Sequence, residues 1–336
     1  MRLMFVGDVS LGEYYPSFGH GPLSFAENNN VFKNVQTIFD KADIVVGNLE
    51  AAITTVNLNP NEPESLVLRG KPDAAKQLNS AGFKILQIAN NHTVQHGSSG
   101  FTETINILKN ENISTVGLNN ADIVQLDIDD QTVGFLAASD VPDNTNKQQN
   151  EYQRLDEEFI VKVEQSVHKV DHLFVLLHWG LEASTSPLPY QRNLVERLKN
   201  SGVRGVIGSH PHLFYEVESS DNFVSAYSLG NFVFDLCWDS RLSKSGILDI
   251  TLDNNKLECK VWPVTLQKNG CQPTPIADPV QVNTKLCYYN LGQSMRWQLL
   301  KKNFYFFKNI HKGHTNIKLK FFFRKILKIP KRLFNL

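Results

Sequence analysis

Short apolar runs alternate with polar stretches of helical spacing along this sequence, and five of the runs end in residues that could bind a metal. Continuous apolar runs of this length are typical of strands buried on both faces of a sheet. The carboxyl ends of such strands meet at one edge of an open α/β sheet, so the pattern predicts that their last residues converge. The runs end at Asp8, Asn48-Leu49-Glu50, Asn90-Asn91-His92, His178 and Ser209-His210-Pro211-His212.

The segments between these strands predict helices, and the alternation indicates the α/β fold class. Helical spacing covers residues 31–41, 72–81, 98–109, 156–169 and 190–200. A hairpin is expected over 123–136, followed by a polar loop over 143–152. Beyond residue 214 the pattern becomes β-rich, with strands expected over 223–228, 247–252 and 257–264, the last two joined at Asn254-Asn255.

The length of 336 residues suits one large α/β domain, or one domain plus an appendage. We predict a single domain over residues 1–266. Residues 267–282 contain three prolines, which favours a linker. Residues 283–336 form a basic, aromatic-rich C-terminal extension.

The formal net charge of zero hides an asymmetry between the body of the chain and its C-terminal end. The last 58 residues contain 13 Lys or Arg and no Asp or Glu, which leaves the body with a net charge of −13. Such a tail predicts an anionic partner. Phe322, Ile326, Ile329 and Leu333 would form one apolar helical face, interrupted by a proline, which favours an anionic membrane surface. Packing of the tail on the acidic body is the alternative, and nucleic acid is disfavoured because no recognised binding motif accompanies the charge.

The sequence predicts neither a membrane-spanning helix nor a secretion signal. No apolar run approaches the length of a spanning helix, and the chain passes from Met1-Arg2 directly into the first strand-like run. The four cysteines have the spacing of neither a zinc ribbon nor a redox pair, which favours free thiols in a reducing compartment. We therefore expect a cytoplasmic protein, and the basic tail permits a peripheral position at the inner face of the membrane.

Six short motifs follow one another between residues 2 and 240. They are Gly7-Asp8, Gly47-Asn48-Leu49-Glu50, Asn90-Asn91-His92, His178-Trp179-Gly180-Leu181-Glu182, Gly208-Ser209-His210-Pro211-His212 and Tyr227-Ser228-Leu229-Gly230-Asn231-Phe232. In this order and at these intervals they resemble the CapA family of poly-γ-glutamate capsule synthesis proteins (PGA_cap). That family is similar to the calcineurin-like metallophosphoesterases.

The resemblance implies a four-layer α/β/β/α sandwich that holds two divalent metal ions. It implies that Asp8 is the ligand from the first strand and that Glu50, or alternatively Asn48, bridges the metals, with Glu50 favoured. Asn91 would be a carboxamide ligand, and His92 beside it would be the general acid. The imidazole ligands would be His178, His210 and His212.

Coordination chemistry agrees with these roles. Mixed carboxylate and imidazole ligands favour Mn, Fe or Zn over Ca. Two metals about 3.5–4 Å apart can clamp the attacking and leaving oxygens of a phosphoryl transfer. Residues two apart at a strand end point the same way, so His210 and His212 are both expected to face the site. Arg69 precedes a predicted helix and is a candidate to bind an anionic group of the substrate, although Arg69 and Glu182 also fit ordinary solvated charges.

Two departures from the family pattern affect the functional hypotheses. The wider superfamily opens with Asp-x-His, whereas the third position here is Ser10. The Asp-Tyr-Gly that follows the Asn-His in many CapA-like sequences is replaced by Gln95-His96-Gly97.

Two functional hypotheses follow from the resemblance. The first hypothesis is a metal-dependent phosphoesterase linked to the synthesis of poly-γ-glutamate or another anionic surface polymer. The second is a non-hydrolytic factor that holds such a polymer at the membrane. Ser10 in place of the superfamily's histidine favours this second hypothesis slightly. The expected partner is accordingly an anionic polymer or a phosphoester substrate.

Overall fold

The computed structural model describes residues 1–253, 256–292 and 297–333, with side chains described as far as residue 325. In chain order the strands are β1 (Arg2–Val9), β2 (Ile44–Leu49), β3 (Ala52–Ile53), β4 (Arg69–Gly70), β5 (Phe83–Gln87), β6 (Ser114–Val116), β7 (Val124–Ile128), β8 (Gln131–Ser139), β9 (His172–His178), β10 (Gly205–Ser209), β11 (Val217–Ser220), β12 (Phe223–Ala226), β13 (Asn231–Val233), β14 (Lys244–Asp253), β15 (Lys256–Gln267), β16 (Gln272–Pro275), β17 (Val280–Gln281) and β18 (Lys285–Leu286).

The helices lie mainly in the connections between parallel strands. They are α1 (Pro22–Ala26), α2 (Gln36–Phe39), α3 (Ala74–Ser80), α4 (Gly97–Asn110), α5 (Glu157–Ser166), α6 (Pro189–Asn200), α7 (Gln298–Lys308) and α8 (Thr315–Leu333). Short 3₁₀ turns cover Tyr15–Ser17, Pro63–Leu66, Val167–Lys169 and Ser240–Ser243. Local signals explain several starts: the Asp156 carboxylate accepts from the Phe159 amide at the start of α5, and Pro189 occupies the first turn of α6.

The described strands form two large mixed sheets and one short pair. The first sheet has the order β16-β15-β14-β1-β2-β5-β6, with β13 also paired to β1 and β17 to β15. The second has the order β18-β11-β12-β10-β9-β8-β7, and β3 pairs with β4. The strands β1, β2, β5 and β6 are parallel, as are β8, β9, β10 and β12. Each sheet therefore contains four adjacent parallel strands whose carboxyl ends face the same edge.

The two large sheets pack face to face, and helices cover their outer faces. Phe5 of β1 meets Phe174 of β9 across the central core, with ring centroids 5.1 Å apart. Residues of α2, α3 and α4 cover the first sheet, and residues of α5 and α6 cover the second. The four-layer α/β/β/α sandwich expected from the sequence is thus confirmed, because each apolar strand run is buried on both faces.

The structure corrects the expected element boundaries in two places. The helix predicted over 31–41 is reduced to the four-residue α2, preceded by turns. The segment 267–282, predicted as a linker, contributes β16 and β17, which both pair with β15. Its prolines misled the prediction: Pro273 and Pro275 occupy alternate positions of an edge strand, where a missing N–H removes no ladder hydrogen bond. The hairpin of β7 and β8 is as predicted, whereas the turn at Asn254-Asn255 lies outside the described residues.

The C-terminal extension packs on the domain through an aromatic cluster. The Phe321 ring of α8 stacks on Tyr15 at 4.5 Å, and Phe322 stacks on the fully buried Phe306 of α7 at 4.9 Å. Up to residue 325 the alternative of packing on the body therefore holds. Of the predicted apolar face only Phe322 is described; the side chains of Ile326, Ile329 and Leu333 lie outside the described set. In the described part of the chain, no helix combines the length and apolar composition needed to cross a bilayer.

Candidate metal centre

Strand ends from both sheets bring the predicted site residues together. Asp8 of β1 lies opposite Asn48 of β2 in the first sheet, and His178 of β9 lies opposite Ser209 of β10 in the second. All four side chains are buried. The site is thus built on the ends of paired strands, which fixes the backbone positions of its residues before any ligand binds.

Two groups of potential metal ligands meet at Glu50. One group contains Glu50, His178 and His210, and the other contains Asp8, Glu50 and His212. Within each group the ligand atoms lie within 4.8 Å of one another. Glu50 belongs to both groups, so its carboxylate stands where a ligand shared by two ions would stand.

The group around Asp8 is held by short contacts. His212 Nδ1 lies 3.1 Å from Asp8 Oδ2 and 2.9 Å from Asn231 Oδ1, while His212 Nε2 lies 3.7 Å from Glu50 Oε1. Asn231 in turn donates to the carbonyl of Leu242. The His212 ring is therefore fixed between a carboxylate of the site and a carboxamide anchored outside it.

The group around His178 is extended by a carboxamide. His178 Nε2 lies 2.9 Å from Asn91 Oδ1, and His178 Nδ1 lies 3.0 Å from Ser209 Oγ. The rings of His178 and His210 are 4.7 Å apart. The Asn91 oxygen thus faces the same space as an imidazole nitrogen, as a carboxamide ligand requires.

Glu50 Oε1 and His210 Nδ1 are buried and have no hydrogen-bond partner among the described residues. Asp8 Oδ2, also buried, has only its 3.1 Å contact with His212 Nδ1. Buried polar atoms are nearly always paired, and two buried carboxylates side by side need a compensating positive charge. A divalent cation bound by these atoms would satisfy them, so the residues present fit a metal site.

Protonation equilibria reflect the same crowding of charge. Burial raises the pKa of Glu50 well above its usual value, and the neighbouring Asp8 carboxylate raises it further. Burial lowers the pKa of His178 well below its usual value, and the adjacent His210 adds to the effect. A bound divalent cation would favour the ionised carboxylate and the neutral imidazole, which are the states that ligate.

Asn48 has contacts that differ from those of a bridging ligand. Its Nδ2 donates to Asp8 Oδ1 at 2.8 Å and to Glu50 Oε2 at 3.3 Å. Its Oδ1 accepts from Asn90 Nδ2 at 3.1 Å. The Asn48 amide nitrogen therefore orients the two carboxylates, and its oxygen is engaged by Asn90, which favours Glu50 as the bridging ligand.

A strained turn, and not the alternation of a strand, aims His210 and His212 at the site. Strand β10 ends at Ser209, and His210 and His212 have φ angles of 94° and 59°. Non-glycine residues rarely adopt positive φ, and such conformations cluster at functional sites. Both imidazoles face the site as expected, but the turn conformation places them there, and not the side-chain alternation of a strand.

His92 stands at the edge of the metal centre. Its Nε2 lies 4.0 Å from Glu50 Oε1, and its Nδ1 lies 2.8 Å from Gln95 Oε1. Asn144 Nδ2 lies 3.2 Å from Nε2. Burial lowers the pKa of His92, while the contact with Gln95 and the charge of Glu182 act in the opposite direction. This imidazole is oriented by two carboxamides and reaches the site without belonging to either ligand group.

A cavity of about 320 Å³ opens beside His92 and His212. Its walls are lined by Tyr14, Leu68, Asn144, Glu182, Ala183, Phe234, Leu236, Trp238, Leu242, Gln298, Leu299 and Lys302. Arg69, the predicted substrate-binding residue, is not among them; it lies in β4 and donates to the Val56 carbonyl at 3.1 Å. This bond uses one of the five guanidinium donors, and substrate binding by Arg69 stays a prediction.

Sequence reasoning missed several residues of this region. Asn144 comes from a polar loop with no motif, and Lys302 comes from the extension. Asn90 was noted only as part of a motif, yet its side chain holds Asn48. Nothing in the one-dimensional pattern shows that α7 returns to the strand ends, so Lys302 could not be found without the tertiary structure.

The two-sheet sandwich with carboxylates and imidazoles at its strand ends defines a fold of the metallophosphoesterase type. A solved structure described as a 5′-nucleotidase from Staphylococcus aureus, in complex with alpha-ketoglutarate, has a TM-score of 0.50 to it and 13% identity, covering 90% of this chain and 58% of that one. The profile of the family described as bacterial capsule synthesis protein PGA_cap matches residues 2–236, and the chain belongs to this family.

Two curated relatives carry related descriptions. The PGA biosynthesis protein CapA of Bacillus subtilis (strain 168) is 28% identical over 307 residues, which is 88% of this chain and 79% of that protein. The capsule biosynthesis protein CapA of Bacillus anthracis is 25% identical over 299 residues, covering 84% and 71%. The family and the fold predicted from the six motifs are thereby confirmed.

Proposed function

We propose that this protein is a metal-dependent phosphoesterase, a hydrolase that acts in the synthesis of capsule, poly-γ-glutamate or another anionic surface polymer. Two divalent ions, with Mn, Fe or Zn favoured, would be held by Asp8, Glu50, Asn91, His178, His210 and His212. The observation that carries the proposal is the position of Glu50, which belongs to both ligand groups. A shared carboxylate can hold two ions at the short separation, about 3.5–4 Å, that two-metal phosphoryl-transfer sites use.

The chain's own residues supply orientation and a proton. When bound, the ions would polarise the phosphoryl oxygens and lower the pKa of an attacking water. Gln95 Oε1 faces His92 Nδ1, so Nε2 is the nitrogen that would give a proton to the leaving oxygen. Burial lowers the pKa of His92, and an anionic substrate in the cavity would raise it again. Asp8, held in position by the Asn48 amide, would supply a carboxylate ligand to a bound ion.

The link to a surface polymer rests on the family. The family description names capsule synthesis, and the relative from Bacillus subtilis is described by PGA biosynthesis. These names support an anionic polymer, or a phosphoester intermediate of its assembly, as the partner. Fold alone does not fix a substrate, so the polymer is part of the proposal.

A non-hydrolytic binding factor is the second candidate. Ser10 stands where the superfamily carries an imidazole, and its buried Oγ has no partner in the described structure. The position therefore offers a weak ligand in place of a strong one. A protein that binds metal and polymer but hydrolyses no phosphoester would fit this candidate.

The test is hydrolysis of p-nitrophenyl phosphate and bis(p-nitrophenyl) phosphate by the full-length protein incubated with Mn²⁺, Fe²⁺ or Zn²⁺. The matched variants are Asp8→Asn, which removes a proposed ligand, and Asp278→Asn, which changes an exposed carboxylate far from the motifs. We expect turnover by wild type and Asp278→Asn and none by Asp8→Asn. Metal binding with no turnover of either ester would favour the binding factor.

A further inference from the structure

We propose that Lys302, carried by helix α7 of the C-terminal extension, binds an oxyanion of the substrate in the cavity beside the metal centre. The group would be a phosphate or a carboxylate at some distance from the reacting phosphorus. This inference deepens the proposed function and rests on it for the reaction, although anion binding can be tested without turnover.

The Lys302 ammonium is fixed in place by aromatic rings. Nζ donates to Tyr14 Oη at 2.8 Å and lies 4.3 Å from the centre of the Tyr14 ring. It also lies 4.9 Å from the Trp238 ring and 5.3 Å from the Tyr15 ring. Cation–π contacts of this kind hold an ammonium without neutralising it. The amine is therefore positioned by the rings. Burial lowers the pKa of Lys302 to about 7, and an anion bound beside it would raise that pKa and favour the charged ammonium.

Lys302 differs from the neighbouring Lys301 in having no ion-pair partner among the described carboxylates. Lys301 pairs with Asp239 at 2.6 Å, whereas no described carboxylate forms an ion pair with Lys302. An ammonium has three donors, and the tyrosine hydroxyl uses one of them. A half-buried cation with unused donors calls for an anionic ligand.

The surroundings of Lys302 connect it to the metal centre. It shares the cavity of about 320 Å³ with His92 and His212, the latter a member of the Asp8 ligand group. Most of the other walls are apolar, which strengthens an ion pair relative to water. Glu182 is the one carboxylate of the lining, and it would select against anions placed at its own end of the cavity.

The placement implies a substrate with two anionic groups. One group would bind at the metal ligands and the other at Lys302, which suits a phosphorylated or polycarboxylate chain better than an isolated monoester. Lys302 lies beyond residues 2–236, the part matched by the family profile. The extension would therefore add its own selectivity to a site that the family domain provides.

The experiment measures binding of two probes to the full-length, Mn²⁺-loaded protein by calorimetry. Pyrophosphate is the phosphate probe, and a γ-linked tetrapeptide of glutamate is the carboxylate probe. The variant Lys302→Met keeps the stem and removes the charge, and Lys301→Met is the matched control from the same turn of α7. We expect Lys302→Met to weaken at least one probe by about tenfold or more, since a hydrogen bond to a charged group is lost.

One further variant and two further readouts keep the result unambiguous. Lys302→Arg should keep most of the affinity, and the melting temperature and metal content of all variants should match wild type. The probe that weakens tells whether the oxyanion is a phosphate or a carboxylate. Equal affinities of wild type and Lys302→Met for both probes would overturn the inference. Failure of the proposed function would look different: no ester hydrolysed by wild type, with the effect of Lys302→Met on binding intact.

Discussion

At the scale of single residues, the proposed metal ligands are distinct from the proposed general acid. Glu50 lies in both ligand groups, whereas His92 lies in neither and is oriented by Gln95 and Asn144. A ligand and a general acid respond differently to mutation. The loss of a ligand removes the metal, while the loss of the acid removes rate and leaves the metal bound.

We therefore predict that His92→Ala lowers the turnover of a phosphoester by about 100- to 10,000-fold, the usual contribution of general acid catalysis. Its metal content should stay that of wild type, measured on the same preparation by elemental analysis. His311→Ala, at an exposed position of the extension, is the control and should change neither quantity. Loss of metal from His92→Ala would make this residue a ligand and remove the assigned acid.

Asp235 gives a prediction for the dependence of stability on pH. Burial raises its pKa from 3.8 to about 8, so the folded chain keeps a proton that the unfolded chain releases between these values. The free energy of unfolding should therefore fall as the pH rises from about 4 to about 8. Asp235→Asn can still accept from the Tyr14 amide, and we expect it to remove this part of the pH dependence.

The measurement is chemical denaturation at pH 5 and pH 8 in the same salt, for wild type and Asp235→Asn. Asp278→Asn, on an exposed carboxylate, should keep the wild-type difference between the two pH values. If Asp235→Asn also keeps that difference, the buried carboxylate is not the group that titrates.

At the scale of elements, the extension is attached by one face of α7. Phe306 is fully buried between Tyr15 and Phe322, whereas Phe304 is 72% exposed two residues earlier. Helical geometry explains the difference, because positions two apart lie on opposite sides of a helix. Docking of α7 also places Lys302 at the cavity, so stability and the shape of the site are coupled here.

We predict that Phe306→Ala lowers the free energy of unfolding by about 3–5 kcal/mol, the range for emptying a buried aromatic site. Phe304→Ala is the matched control and should change it by less than about 0.5 kcal/mol. Urea denaturation monitored by tryptophan fluorescence compares the two. A small effect of Phe306→Ala would mean that the extension contributes little to the fold.

Elements with strong periodicity were predictable from sequence, and those that depend on tertiary pairing were not. The strands β1, β2, β5, β9 and β10 could be located from sequence because a strand that is buried on both faces is a continuous apolar run. Pro273 and Pro275 favoured the prediction of a linker, because the sequence does not show that their segment is an edge strand, where proline is tolerated. The positive φ angles at His210 and His212 could not be predicted either, because the sequence shows which side chains follow β10 but not the backbone conformation of the turn.

At the scale of the whole molecule, the extension has an inner face on the domain and an outer face toward solvent. The outer face carries Leu300, Phe304, Phe307 and Phe323, each more than half exposed, among lysines and arginines. A basic surface with large apolar residues suits an anionic bilayer. The sequence predicted membrane binding through a face that includes Phe322, whose ring packs inward on Phe306. We propose that this outer face binds the surface of an anionic membrane instead.

The corresponding prediction is flotation of the full-length protein with vesicles containing phosphatidylglycerol but not with pure phosphatidylcholine. Each basic residue near such a surface contributes about 1 kcal/mol. Phe304→Ser with Phe307→Ser should reduce flotation, whereas Ile276→Ser, at an exposed apolar position outside the extension, should not. Equal flotation of wild type and of a chain ending at Val282 would contradict membrane binding by the extension.

Glu50 is proposed to join two metal positions, and elemental analysis of the metal bound per chain is the direct test. Wild type incubated with Mn²⁺ or Fe²⁺ should hold close to two ions, Glu50→Gln close to none, and the double variant His178→Ala, His212→Ala also close to none. Wild type without metal after incubation, or Glu50→Gln with the wild-type content, would contradict the account.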